Sequence, residues 1–172
     1  MSQTPFDDQT LALAARLFAA AREGDAATLE AFLDSGLPPD LRNDKGDSLL
    51  MLASYHGHAD AAALLLRHGA DPDLGNDRGQ TPLAGAAFKG EAAVAEALLA
   101  GGARVDGAGP DGRTALMTAA MFNRVAMVEL LLSHGASRDA TTPDGVSALS
   151  AARAMGARDA AAFLERLEAD AG

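Results

Sequence analysis

The residues best suited to proton transfer or metal ligation are four histidines, of which His56 and His58 stand two apart with Asp60 close by. Imidazole and carboxylate at that spacing could clamp a divalent ion and activate a water, the chemistry of a metal-dependent hydrolase. Gly57 argues against convergence, because His56 ends one helical run and His58 opens the next across a glycine reversal, which turns the side chains apart. His68 and His134 share a sequence phase but lie two structural units apart. Units spaced by about a helix diameter, roughly 10 Å, cannot bring them onto one ligand. Each falls in a last helical turn, where a cation offsets the helix dipole. The carboxylates are no better placed. Asp40, Asp73, Asp106 and Asp139 form one column, whereas a catalytic group does not recur in every unit. Bonding of a short Asp side chain to neighbouring backbone N–H groups in a turn accounts for the column. No glycine loop opens a helix in a phosphate-binding pattern and no Gly-x-Ser-x-Gly elbow occurs. The chain reads as a non-enzyme, with no catalytic residue, cofactor or metal site.

What must position these residues is visible in the spacing. Gly46, Gly79, Gly112 and Gly145 are each 33 residues apart. In phase with them run Ser48, Thr81, Thr114 and Ser147; Leu50, Leu83, Leu116 and Leu149; Ala53, Ala86, Ala119 and Ala152; and Leu65, Leu98, Leu131 and Leu164. Leu17, Ala20, Gly24, Phe32, Gly36 and Asp40 continue the columns one unit earlier. A fixed period of this length marks a solenoid, whose units bury their apolar faces only against their neighbours.

Residue types define the unit. Asp77-Arg78-Gly79-Gln80 is a turn. Thr81 then caps a helix, Pro82 occupies its first position, and Leu83 is its first buried residue. Gly57, Gly90 and Gly156 stop the first helices, and Asn123 fills the same column, Asn being the next-best occupant of left-handed backbone. A second helix follows, with Val94, Ala97 and Leu98 facing inward. The phase predicts helix pairs at about 48–56 with 58–68, 81–89 with 91–101, 114–122 with 124–134, and 147–155 with 157–168. Helices of about ten residues are too short to stand alone in water, so stacking must hold them.

Turn glycine, Thr-Pro-Leu, small residues, Gly, an apolar second helix and Gly-Ala together resemble the ankyrin repeat. Thr81-Pro82-Leu83 and His68-Gly69-Ala70-Asp71 are the most literal matches, and the resemblance spans roughly residues 11 to 168. It implies an all-α solenoid of stacked helix-turn-helix units with short hairpin-like turns. The expected division is an N-terminal capping unit at about 6–43, repeats at about 44–76, 77–109 and 110–142, and a C-terminal capping repeat at about 143–169. The family usually carries His after Thr-Pro-Leu, where this chain has Met51, Ala84, Met117 and Ser150. The bond from such a His to the capping hydroxyl is therefore expected to be absent in every unit.

The ends read as caps. Leu33, Leu66, Leu99 and Leu132 share a column expected to be buried against the following unit, and Glu165 replaces Leu there, with Arg166, Glu168 and Asp170 continuing a polar face. Phe6 to Ala21 reads as one longer first helix, residues 1 to 5 as frayed, and the whole as a complete protein. Of its 172 residues 48% are hydrophobic, none is Cys, and the net charge is −10. No apolar run approaches the ~20 residues of a membrane span. The acidic balance opposes phosphate tracking, so nucleic acid is not an expected partner. Asp7 and Asp8 without Lys or Arg before Thr10 do not resemble a secretory leader, and the composition fits a monomer of the cytoplasm.

Function is then expected at positions outside the repeat columns. The resemblance implies a protein partner gripped by turn tips and the exposed ends of the first helices. By position the tips are Arg42, Asp44, Lys45 and Asp47; Asp77, Arg78 and Gln80; Pro110, Asp111 and Arg113; and Pro143, Asp144 and Val146. The helix-end positions include Tyr55, His56, Phe88, Lys89, Met121, Phe122 and Met155. In a chain only 4% aromatic, Tyr55, Phe88 and Phe122 falling here suggest an apolar stripe rimmed by charge, the composition of a protein-binding surface. A secreted effector acting on another organism's proteins is the alternative, and a hydrolase built on His56 and His58 a more distant one.

Overall fold

The computed structural model describes residues 8–172. The expected fraying of residues 1 to 5 and the helix start at Phe6 lie outside them. Ten helices form among the described residues: α1 (Asp8–Glu23), α2 (Ala26–Asp34), α3 (Leu49–Tyr55), α4 (Ala59–Arg67), α5 (Pro82–Lys89), α6 (Ala92–Ala100), α7 (Ala115–Met121), α8 (Val125–Ser133), α9 (Ala148–Ala154) and α10 (Arg158–Asp170). The odd-numbered helices pack in chain order into an inner layer, and the even-numbered ones form an outer layer against them. The chain is all-α, as its columns predict.

Hydroxyl caps start α3, α5, α7 and α9. Ser48 Oγ accepts the Met51 N–H at 3.0 Å, Thr81 Oγ1 that of Ala84 at 3.2 Å, and Thr114 Oγ1 that of Met117 at 3.3 Å. The last unit departs from expectation. Ser150 Oγ accepts the Ser147 N–H at 2.9 Å while Ser147 Oγ accepts the Ser150 N–H at 3.2 Å. Ser150 thus restores a side-chain link to the cap that the missing His had been expected to remove from every unit. Gly90 ends α5 at φ 81°, and Asn123 alone among the described non-glycine residues has positive φ, 56°.

Leu50, Leu83, Leu116 and Leu149 are buried, as are Leu65, Leu98, Leu131 and Leu164, so the repeat columns are the core. Two assignments change. Ala95, not Ala97, is buried beside Val94 and Leu98; Ala97 is half-exposed. Leu33 is buried, but Leu66, Leu99 and Leu132 are only partly so, because the outer helices meet one another over fewer residues than the inner ones do.

The aspartate column works differently from the local turn bonding expected of it. Asp40 accepts the N–H of Asp71 at 2.9 Å, Asp73 that of Arg104 at 3.1 Å, and Asp106 that of Ser137 at 3.0 Å. Each carboxylate reaches the backbone 31 residues ahead, in the next unit. Asp139 pairs instead with Arg138 at 3.9 Å.

Candidate functional site: the groove between turn tips and inner helices

Asparagine shapes the first two tips. Asn43 Oδ1 accepts the N–H groups of Lys45 and Asp47, both at 2.9 Å. Asn76 Oδ1 does the same for Arg78 and Gln80 at 3.1 and 3.0 Å. These are Asx turns, in which a side-chain carbonyl closes the loop in place of backbone. The Asn76 amide also donates to Asp47 Oδ1 at 2.9 Å, joining one tip to the next. Among the described residues only the first tip adds a strand-like pairing, an isolated bridge between Arg42 and Ser48. Neither Asn43 nor Asn76 was expected here. Their 33-residue separation was available as a signal, but Gly109 and Thr142 take that phase in the later units.

Against these tips the inner helices present aromatic ends. Tyr55 and Phe88 stack at 6.0 Å and 11°, and Phe88 meets the edge of Phe122 at 4.5 Å and 80°. Both spacings fall in the favourable range for aromatic pairs. Tyr55 is 37% and Phe122 38% exposed, and Phe88 is half-buried between them. The ladder crosses α3, α5 and the end of α7. Lys89 Nζ sits 5.2 Å from the Tyr55 ring centroid, a cation–π contact, and the His56 ring meets Tyr55 edge-on at 5.5 Å.

Tips and ladder enclose a trough of about 460 Å³. Lys45, Arg78, Gln80, Asp111 and Arg113 line it from the tips, and Tyr55, Phe88 and Phe122 from the helices. Its floor, which was not expected, is Leu52, Ala84, Gly85 and Thr118. A second trough of about 230 Å³ follows along α7 and α9, lined by Met121, Met155 and Val146, with Asp111 and Arg113 shared. Met121 therefore belongs with Met155 and not with the aromatic ladder. Asp44 is exposed and lines neither trough. Arg42 is turned to internal work: it donates to Gly46 O at 3.0 Å and Gly75 O at 2.9 Å and pairs with Asp77 at 3.4 Å.

The histidines are separated in role. His58 Nε2 lies 2.7 Å from the Arg22 carbonyl oxygen at the end of α1. Arg124 Nε donates to the Phe88 carbonyl at 3.2 Å across the same 36-residue step. Both tie the start of an outer helix, α4 or α8, to the end of the preceding unit's inner helix, which gives His58 a structural role. No group of three His, Asp or Glu able to hold a metal ion occurs among the described residues. Partial burial first, then the positive charges of His58, Arg22 and Lys89, hold the His56 imidazole below its ordinary pKa. No described helix is long and apolar enough to cross a membrane.

Two comparisons bear on the whole arrangement. The sequence model described as ankyrin repeats (3 copies) matches residues 17–108 and 103–171. An ankyrin repeat protein of Pseudomonas aeruginosa is 60% identical over 52 residues, 30% of this chain and 30% of that relative's length.

Proposed function

This chain belongs to the ankyrin-repeat family, and on that premise we propose that it is a non-catalytic module gripping a protein partner in the groove between its turn tips and inner helices. Ankyrin repeats are in general protein–protein interaction modules. The observation that carries the reading is the half-exposed ladder of Tyr55, Phe88 and Phe122, rimmed by the cations and carboxylates of the tips. Burying one large apolar side chain contributes roughly 1.5–3 kcal/mol, and aromatic anchors in a polar rim concentrate interface energy. The chain acts as a monomer on protein rather than nucleic acid, a reading supported by its net charge of −10. The output is binding itself: holding, blocking or shielding the partner.

The test compares wild type with a Phe88→Ala, Phe122→Ala double variant as baits in an extract of the source cell. Proteins retained by wild type and lost from the folded double variant support the groove. A partner held equally by both removes the ladder from the binding surface.

A further inference from the structure

One slot in the inner layer is left unfilled. Met51 in α3 and Met117 in α7 occupy the same register and are both buried, and Ala84 stands between them in α5. Beside it Gly85 stands where α3 has Leu52 and α7 has Thr118. The Met51 thioether fills the space between α3 and α5, since a methyl on Gly85 would meet its Sδ at 3.4 Å. At the same register α5 offers only the Ala84 methyl, and Ala84, Gly85 and Thr118 line the trough together with Phe88 and Phe122. Glycine inside a helix is destabilising, so helix formation does not select Gly85.

At the mouth of this notch cations outnumber carboxylates, with Lys45, Arg78 and Arg113 in the lining against Asp47 and Asp111. Lys45 and Arg78 line the trough, and neither side chain has a hydrogen bond or ion pair among the described residues. Asp111 pairs with Arg113 at 3.8 Å and Asp47 accepts from the neutral Asn76 amide at 2.9 Å, so one carboxylate of the lining stands against Lys45 and Arg78. In a chain of net charge −10 this is a local reversal of sign. An apolar slot beneath free cations is complementary to an apolar side chain next to carboxylates. The trough also runs on into its neighbour past Asp111 and Arg113, which suits an extended segment better than a compact small molecule.

Resting on the groove reading above, we propose that the notch over Ala84 and Gly85 seats one apolar side chain of an acidic peptide segment, with a flanking Asp or Glu meeting Lys45 and Arg78. Selection from a phage-displayed random peptide library on the immobilised full chain tests this. Enriched peptides should pair a Leu, Met or Phe with neighbouring acids and bind more weakly as salt rises. Ala84→Met fills the notch with the residue the flanking helices carry at that register, and should abolish binding with the thermal melt unchanged. Lys45→Glu with Arg78→Glu, on exposed tips that leave the core untouched, should weaken it by at least about tenfold. Enrichment of basic or uncharged peptides that still depend on Phe88 and Phe122 overturns this inference and leaves the groove reading standing. Binders indifferent to Ala84→Met and to the Phe88→Ala, Phe122→Ala pair, or no binders, overturn both. 3-Phenylpropionate binding as tightly as the peptides would reassign the notch to a small organic anion.

Discussion

Asn123 caps a helix that is not its own: its Oδ1 accepts the Ala160 N–H at 2.9 Å while its Nδ2 donates to Asp159 Oδ2 at 2.9 Å. Both partners lie in the first turn of α10, whose own N-cap residue, Ala157, supplies no side-chain bond. The positive φ just past the end of α7 thus aims a side chain at the next unit.

Two substitutions separate backbone from bonding at that position. Asn123→Gly relieves the left-handed backbone but removes the cap, and should cost about 1 kcal/mol. Asn123→Ala keeps the unfavourable backbone and loses the cap, and should cost about 2 kcal/mol. Urea unfolding of the two variants gives the difference directly.

Leu131 is fully buried in α8, in the outer-helix column it shares with Leu65, Leu98 and Leu164. Leu131→Ala should cost about 2–5 kcal/mol, the sum of lost transfer energy and the cavity left behind. A smaller loss in calorimetry or denaturant unfolding would mean that α8 collapses onto the space.

The ladder should respond differently. Phe88→Ala or Phe122→Ala leaves no closed core cavity, so the fold should persist while a bound partner weakens by about tenfold or more. Lys45, Arg78 and Arg113 should chiefly govern the association rate and its salt dependence. Surface plasmon resonance on a captured partner, at two ionic strengths, distinguishes the two contributions.

His56 supplies a pH dependence with a defined sign. Partial burial and the charges of His58, Arg22 and Lys89 lower its folded pKa, so between that value and the ordinary ~6.5 the unfolded chain binds more protons. The stabilisation is complete above ~6.5 and is lost as pH falls through the folded pKa. An imidazole NMR titration should place the His56 midpoint below the ordinary value, and Lys89→Met should move it upward.

Glu165 Oε1 pairs with Arg153 at 2.7 Å, with both side chains about half exposed. An exposed pair of this kind contributes little stability. Glu165→Leu should therefore fold normally but present an apolar α10 surface and self-associate. Sedimentation velocity showing an unchanged monomer would count against a stacking face there.

The fold was legible because its signal is repeated. Helix bounds follow the 33-residue phase to within a residue or two, since the capping hydroxyls Ser48, Thr81, Thr114 and Ser147 mark the starts of α3, α5, α7 and α9. Choices within a helix were less so: with Val94 and Leu98 fixed, Ala95 and Ala97 are the same residue type, and packing alone decides which is buried. The aspartate column announced itself as repeating but not its direction, because a bond to a residue 31 positions ahead depends on how far one unit rises over the next. In the groove, the nearness of Tyr55, Phe88 and Phe122 could be inferred from phase. That Met121 leaves the ladder and that Arg42 is held by Gly46, Gly75 and Asp77 could not, since both depend on side-chain direction. The unfilled slot had a trace in the sequence, the size drop at Ala84 between Met51 and Met117.

The chain has one tyrosine and no tryptophan, and that tyrosine is stacked on Phe88 at the wall of the trough. Nearly all of its near-ultraviolet fluorescence must therefore originate at Tyr55. The molecule carries a native optical reporter at the surface in question, and any ligand that covers or displaces that phenol changes the emission of the unlabelled protein.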